Sequence, residues 1–144
     1  MKHRHFIKQL DRKLIESAIH DAELKTSGEI RVLIHHQPVE DAVAFAQKEF
    51  LRLGMQKTRQ HNAVLIFVAP VSQKFAVIGD AAVHAQCGDA FWPELASALA
   101  GHFKQGEFTA GLLHGIQRAG ALLAEHFPPG PDDRNELPDQ IIES

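Results

Sequence analysis

The chain has 144 residues, of which 44% are hydrophobic and 23% are charged, a composition typical of one soluble globular domain. Its formal net charge of −3 at pH 7 provides no positive field that would favour nucleic acid or an anionic membrane as a partner. The sequence contains neither an apolar stretch of membrane-spanning length nor a signal peptide, so we expect a cytoplasmic protein without a membrane span.

Two amphipathic segments and one apolar segment occupy the first part of the chain. Apolar residues at helical spacing predict a first helix over about 11–24, with Asp11 as its N-cap. The segment 29–34, EIRVLI, is typical of a strand, and it carries apolar residues on both faces. A second helix is predicted over 39–53, and Gly54 is expected to end it.

The segment 62–80, NAVLIFVAPVSQKFAVIGD, is the most apolar part of the sequence and the expected centre of the fold. Two apolar runs separated by a short polar turn with a proline predict a β-hairpin. Neither run alternates with polar residues, so we expect both strands to be covered on both faces.

The last third of the chain is predicted to be helical up to a proline-rich segment. We expect a loop over 81–88, then a helix over 89–103 that is capped by Asp89, and a final helix over 108–126. Prolines from position 128 onward prevent the last helix from continuing. The sequence therefore predicts one domain, 6–127, followed by a Pro-rich, acidic C-terminal arm.

These elements predict an α/β fold, a compact sandwich in which a small mixed sheet is flanked by about four helices. The strand, helix and strand of 29–69 form a crossover unit, so their two strands should be parallel. The hairpin then adds a third strand, which should be antiparallel to the second strand.

This topology brings four polar residues towards one edge of the predicted sheet. Glu29 and Asn62 stand where the two parallel strands begin, and Asp80 stands where the third strand ends. Asp89 follows Asp80 by a short connection that can return to the same edge. Three carboxylates and one amide are therefore expected to converge there.

Oxygen ligands of this kind suit a hard divalent cation, Ca²⁺ or Mg²⁺, rather than zinc. A simpler interpretation remains open, in which Asp80 and Asp89 are turn and cap residues and Glu29 is a solvated strand end. No EF-hand loop pattern is present to decide between the two interpretations.

Three further residues near this edge carry chemistry of their own. His84 is a candidate general acid–base in the predicted loop, and its alternative is an exposed histidine without a role. Trp92 is either a buried aromatic anchor or the wall of a ligand pocket. Cys87 lacks the surrounding pattern of a catalytic cysteine, and the sequence has no GxSxG, P-loop or GxGxxG motif.

Seven segments give the sequence a resemblance to one known family. They are AELKTSGEIRV (22–32), FLRLGMQKT (50–58), NAVLIFVAP (62–70), KFAVIGD (74–80), CGDAFWPEL (87–95), FKQGEFTAGLLHGI (103–116) and NELPD (135–139). The chain resembles the TPM domain family, whose members include plant thylakoid, photosystem-repair and bacterial proteins. The resemblance implies a compact α/β sandwich with a small mixed sheet.

The resemblance also implies two functional hypotheses. Similar domains bind a divalent cation, often calcium, at an acidic sheet edge, and Glu29, Asp80 and Asp89 match those positions. A plant member is described as an acid phosphatase, which implies metal-dependent hydrolysis of phosphomonoesters. The alternative is a non-catalytic module for protein binding or assembly, in which the cation orders the 80–89 loop for a protein partner.

Overall fold

One mixed β-sheet lies in the middle of the protein, between helices that cover both of its faces. The structure is a computed structural model, and it describes residues 3–88, 90–130 and 139–144. Within these ranges the helices and strands are α1 (His3–Lys8), α2 (Arg12–Glu23), β1 (Glu29–Ile34), α3 (Ala42–Arg52), β2 (Ala63–Ala69), β3 (Lys74–Gly79), α4 (Ala81–Cys87), α5 (Phe91–Lys104), α6 (Phe108–His126) and β4 (Ile142–Glu143).

The strand order in the sheet is β3-β2-β1-β4. β1 and β2 are parallel and begin together, with Glu29 opposite Ala63. β2 and β3 are antiparallel and place Val64 opposite Gly79. The predicted α/β sandwich with a parallel crossover and an antiparallel hairpin is therefore confirmed.

The two faces of the sheet have separate hydrophobic cores. On one face, Ile30 and Val32 of β1 pack with residues of α2, α5 and α6. On the other face, Leu33 packs with residues of α3. β2 is buried along its whole length, as expected, whereas β3 is an edge strand that is only partly covered and begins with the exposed Lys74.

Side-chain caps and one glycine fix the ends of the first long helices. Asp11 caps α2 by accepting a hydrogen bond from the Leu14 amide at 3.1 Å, which confirms the predicted N-cap. Asp41 caps α3 in the same way. After α3 the backbone turns at Gly54 with φ +72°, a conformation that favours glycine.

No helix in the described ranges combines the length and the apolarity needed to cross a membrane.

The prediction of a loop over 81–88 is wrong, because residues 81–87 form α4. The segment AAVHAQC contains several strong helix formers, and Asp80 caps it by accepting from the Ala81 amide at 2.8 Å. α5 begins at Phe91 after Ala90. Asp89, the predicted cap of this helix, lies outside the described residues.

The C-terminal segment, residues 139–144, lies against the outer edge of β1 and contributes a strand that the sequence did not predict. β4 runs parallel to β1, and the Ser144 amide donates to the Ile34 carbonyl at 3.0 Å. Ile141, just before β4, is 7% exposed and belongs to the core shared with α2 and α6. This segment is therefore part of the folded domain.

Candidate acidic site at the sheet edge

Glu29, Asn62 and Asp80 lie at the same edge of the sheet, as the topology predicts. The Glu29 amide donates to the Asn62 carbonyl at 3.4 Å, and the Asp80 amide donates to the Ala63 carbonyl at 2.9 Å. Glu29 is 2% exposed and Asn62 is 1% exposed, so this edge is closed to solvent at its centre. Glu29 is thus a buried carboxyl group rather than a solvated strand end.

Two further carboxyl groups meet Glu29 on the outer side of β1. Glu23, the last residue of α2, accepts a hydrogen bond from the Ile30 amide at 2.8 Å through Oε2. Its carboxyl group is also hydrogen-bonded to the side chains of Asp139 and Glu29. We call Glu23, Glu29 and Asp139 the acidic cluster. The C-terminal segment supplies one of its three members.

The crowding in the acidic cluster has a clear electrostatic consequence. Burial, the hydrogen bonds with Asp139 and Glu29, and the charge of Glu29 together raise the pKa of Glu23 to about 11. Oε1 of Glu23 is buried and receives no hydrogen bond from a donor group in the described part of the chain. The cluster therefore retains a proton at neutral pH.

Arg31 lies beside the acidic cluster and does not compensate it fully. The three carboxyl groups favour the charged guanidinium, yet burial has the larger effect and lowers the pKa of Arg31. Its Nε is buried and has no hydrogen-bond partner among the residues that the structure describes. The local charge balance is consequently set by protonation of the carboxyl groups as well as by Arg31.

Asn62 connects the edge to the preceding turn through hydrogen bonds. The side-chain nitrogen Nδ2 of Asn62 donates to Ser27 Oγ at 3.1 Å, and Ser27 Oγ donates to Gln60 Oε1 at 3.2 Å. Thr26 Oγ1 accepts from the Gly28 amide at 3.0 Å in the same turn. These bonds hold the turn before β1 in place, so a positioning role for the Asn62 side chain is established.

Asp80 lies on the other side of β2, at the end of β3. One of its carboxylate oxygens, Oδ1, caps α4. The other oxygen, Oδ2, is buried without a hydrogen-bond partner in the described ranges, and His61 Nδ1 is 3.7 Å from it. Because β2 separates β3 from β1, Asp80 faces the His61 turn rather than the acidic cluster.

His84 and Trp92 contact each other near Asp80. The Trp92 indole Nε1 donates to His84 Nδ1 at 3.0 Å, and His84 is exposed on α4. The Trp92 ring covers Gly79 so closely that a Cβ there would lie 2.4 Å from two ring carbons. Trp92 therefore packs as an aromatic anchor on the end of β3.

The sequence interpretation did not include Glu23, Asp139 or His61 in the site. Glu23 and Asp139 both occur in segments that carry the family resemblance, 22–32 and 135–139. Their proximity depends on the docking of the C-terminal segment, which local patterns do not reveal. Among the residues that the structure describes, no three His, Cys, Asp or Glu side chains form a ready set of metal ligands.

Comparisons with known proteins agree with the observed fold. A family model described as the TPM domain matches residues 1–122. The NMR structure of the BA42 protein from the psychrophilic bacterium Bizionia argentinensis is similar with a TM-score of 0.84 and 41% sequence identity, and the match covers 92% of each chain. No curated protein sequence matches this chain. The chain therefore belongs to the TPM domain family.

Proposed function

We propose that this TPM domain binds a divalent cation, Ca²⁺ or Mg²⁺, at the acidic edge, with Glu29 as the central ligand. The observation that carries the proposal is the acidic cluster, in which the Glu23 carboxyl has two carboxyl groups as side-chain neighbours. Buried carboxyl groups at this spacing need a proton or a cation between them. A cation would replace the proton that Glu23 retains.

The chemistry of the donors fits a hard cation. Carboxylate oxygens of Glu23, Glu29 and Asp139 are ligands that Ca²⁺ and Mg²⁺ prefer. The described side chains do not form a finished ligand set, so binding requires them to move together. The family resemblance also implies Asp80, which lies on the opposite side of β2, as an alternative ligand, together with Asp89, which lies outside the described residues.

The burial of the site favours a structural cation over a catalytic one. Glu29 is 2% exposed, and a phosphomonoester has no access to a carboxyl group at that depth. A cation held by Glu23, Glu29 and Asp139 would join α2, β1 and the C-terminal segment. The function that the geometry supports best is therefore a non-catalytic binding or assembly module whose C-terminal segment is fixed by the cation.

Metal-assisted hydrolysis of phosphomonoesters is the second candidate, and it is favoured by the word phosphatase in the name of the matching family model. A bound cation would polarise the phosphoryl oxygens and orient water. His61 Nδ1 lies 3.7 Å from Asp80 Oδ2, the His84 amide donates to the Asp80 carbonyl at 2.9 Å, and both histidines are exposed. These two residues are the candidates for holding or moving a proton.

Calorimetric titration of the chelator-treated protein with Ca²⁺ and with Mg²⁺ tests the cation site. We expect saturable binding by the wild type and a loss of affinity of about 10–100-fold in Glu29→Gln. Asp139→Asn and Asp80→Asn then locate the cation. Only the variant on the same side of β2 as the cation should lose affinity for it. The exposed Asp21→Asn serves as a charge-matched control. Absence of binding by the wild type, or equal binding by Glu29→Gln, would refute the site.

Turnover of p-nitrophenyl phosphate separates the two functional classes. A non-catalytic module gives no turnover above that of the Glu29→Gln variant, with or without added cation. Cation-dependent turnover that is lost in whichever of Glu29→Gln and Asp80→Asn also loses cation affinity would instead establish the phosphatase. Turnover that survives both substitutions would point to a contaminating enzyme.

A further inference from the structure

A cavity of about 420 Å³ lies at the end of the sheet opposite the acidic edge. It is bounded by the residues where β2 ends and β3 begins, by α1 and α5, and by the start of α6. Its volume lies within the range of about 300–1,000 Å³ that is usual for small-molecule sites. Neither the cation proposal nor the phosphatase proposal involves this cavity.

The wall of the cavity is aromatic and preformed. It is lined by four phenylalanines, Phe6, Phe75, Phe103 and Phe108. Phe6 and Phe108 have ring centroids 4.7 Å apart, and Phe75 and Phe103 meet edge to face at 5.3 Å. Because these rings support one another, the wall keeps its shape without a ligand. An apolar group is the natural occupant of such a wall.

The rim of the cavity is cationic. Lys74 and Lys104 are exposed lining residues, and no carboxylate lines the cavity. Lys74 Nζ donates to the Glu40 backbone carbonyl at 2.5 Å, which leaves its charge uncompensated. Within the described ranges neither lysine forms an ion pair with Asp or Glu. The rim therefore favours one anionic group next to the apolar wall.

We propose that this cavity binds a medium-chain monocarboxylate, with its alkyl chain against the phenylalanine wall and its carboxylate at Lys74 and Lys104. A single anionic head with an apolar body satisfies both parts of the lining. Sugar phosphates and nucleotides would place hydroxyl groups against the phenylalanine rings, which offer no donor or acceptor to replace water. The site is independent of the cation because it lies at the other end of the sheet.

Calorimetric titration of the full chain with decanoate, in the presence of a chelator, tests this site. We expect one decanoate per chain and a loss of affinity of about tenfold or more in the double variant Lys74→Gln/Lys104→Gln. The same variant should bind 1-decanol as the wild type does, because the alcohol lacks the charge. Lys48→Gln, an exposed lysine on α3, is the matched control and should bind decanoate normally.

A second variant tests the cavity itself. Ala100 lines the cavity from α5, so Ala100→Leu should reduce the affinity for both decanoate and 1-decanol by about tenfold or more. This variant also decides the question if the double lysine variant fails to fold. The proposal is overturned if the wild type does not bind decanoate, if Ala100→Leu binds both probes as the wild type does, or if the double lysine variant matches Lys48→Gln.

Discussion

The two ends of the central sheet differ in what fills them. At the end where β1 and β2 begin, the carboxyl groups of Glu23, Glu29 and Asp139 are crowded together, and the pKa of Glu23 is raised to about 11. At the other end, phenylalanine rings surround a cavity whose rim carries two lysines. β2 is buried along its whole length between these ends and carries no polar side chain. The acidic cluster and the two lysines therefore place side chains of opposite charge at the two ends of the sheet.

This difference means that the two ends respond to different perturbations. The acidic end depends on pH, on cations and on the docking of the C-terminal segment. The phenylalanine-lined end depends on side-chain volume and on anionic ligands. Each substitution below changes the acidic end or its neighbourhood and thereby tests whether that end behaves as described.

The largest effect is expected from Ile141→Ala. Ile141 is 7% exposed in the core next to the acidic cluster, and its truncation should lower the free energy of unfolding by about 2–4 kcal/mol. Urea denaturation measures the change. Leu24→Ala is the control, because Leu24 is 65% exposed and should change stability by less than about 0.5 kcal/mol. Equal effects of the two substitutions would show that the C-terminal segment does not dock on the sheet.

Glu23→Gln should stabilise the protein at alkaline pH. The pKa of Glu23 is raised to about 11 in the folded protein, mainly by burial, so the folded state binds the proton more tightly than the unfolded state. The corresponding stability is fully present below the unfolded pKa of about 4.3 and is lost as the pH rises towards 11. Gln needs no proton, so the variant should gain about 2–3 kcal/mol at pH 8.

The gain in Glu23→Gln should disappear at pH 4, where both states of the wild type carry the proton. Thermal unfolding from pH 4 to pH 9 in the presence of a chelator measures this dependence. Glu125→Gln is the control, because that side chain is 74% exposed and should give a flat difference. If the stability difference between Glu23→Gln and the wild type did not change with pH, the proton retained in the acidic cluster would be contradicted.

Gly79→Ala should destabilise the protein by about 1–3 kcal/mol, because its Cβ would meet the Trp92 ring. The same substitution in a Trp92→Leu background should cost much less, since the smaller side chain leaves room for the methyl group. A double-mutant cycle in urea measures this difference. An unchanged cost in the second background would locate the strain elsewhere than at Trp92.

The smallest effect is expected from Asp80→Ala. Loss of the cap on α4 should lower stability by about 0.5–1 kcal/mol, while Asp80→Asn keeps the capping oxygen and should cost only a few tenths. Asp41→Ala, which removes the cap of α3, provides a reference for an ordinary capping loss. Equal costs for the Ala and Asn variants would mean that the charge of Asp80 matters more than its capping bond.

The central part of the fold followed directly from the sequence. The apolar runs of 62–80 predict the hairpin, and the helical crossover between β1 and β2 predicts their parallel pairing. The shared edge of Glu29, Asn62 and Asp80 is a consequence of that pairing. These features depend on local pattern and on one general rule, so they needed no knowledge of distant contacts.

The features that the sequence interpretation missed depend on longer-range or ambiguous signals. Asp80 after a strand is compatible with a turn or with a helix cap, and only the packing of α4 distinguishes the two. β4 has two residues, too few for a periodic pattern. His35 follows β1 and Ser144 follows β4. Their side chains are hydrogen-bonded to each other although the residues are 109 positions apart. The contact of Glu23 with Asp139 depends on this docking and was equally hidden.

The pairing of β4 with β1 has a consequence for the order of events during synthesis on the ribosome. β1 is the first strand to leave the ribosome, whereas residues 142–143 of β4 follow all the other described helices and strands. Until they arrive, the outer edge of β1 presents unpaired backbone groups to any extended peptide nearby. Nascent chains should therefore be most prone to aggregation shortly before β4 is made, because β4 then covers the outer edge of β1.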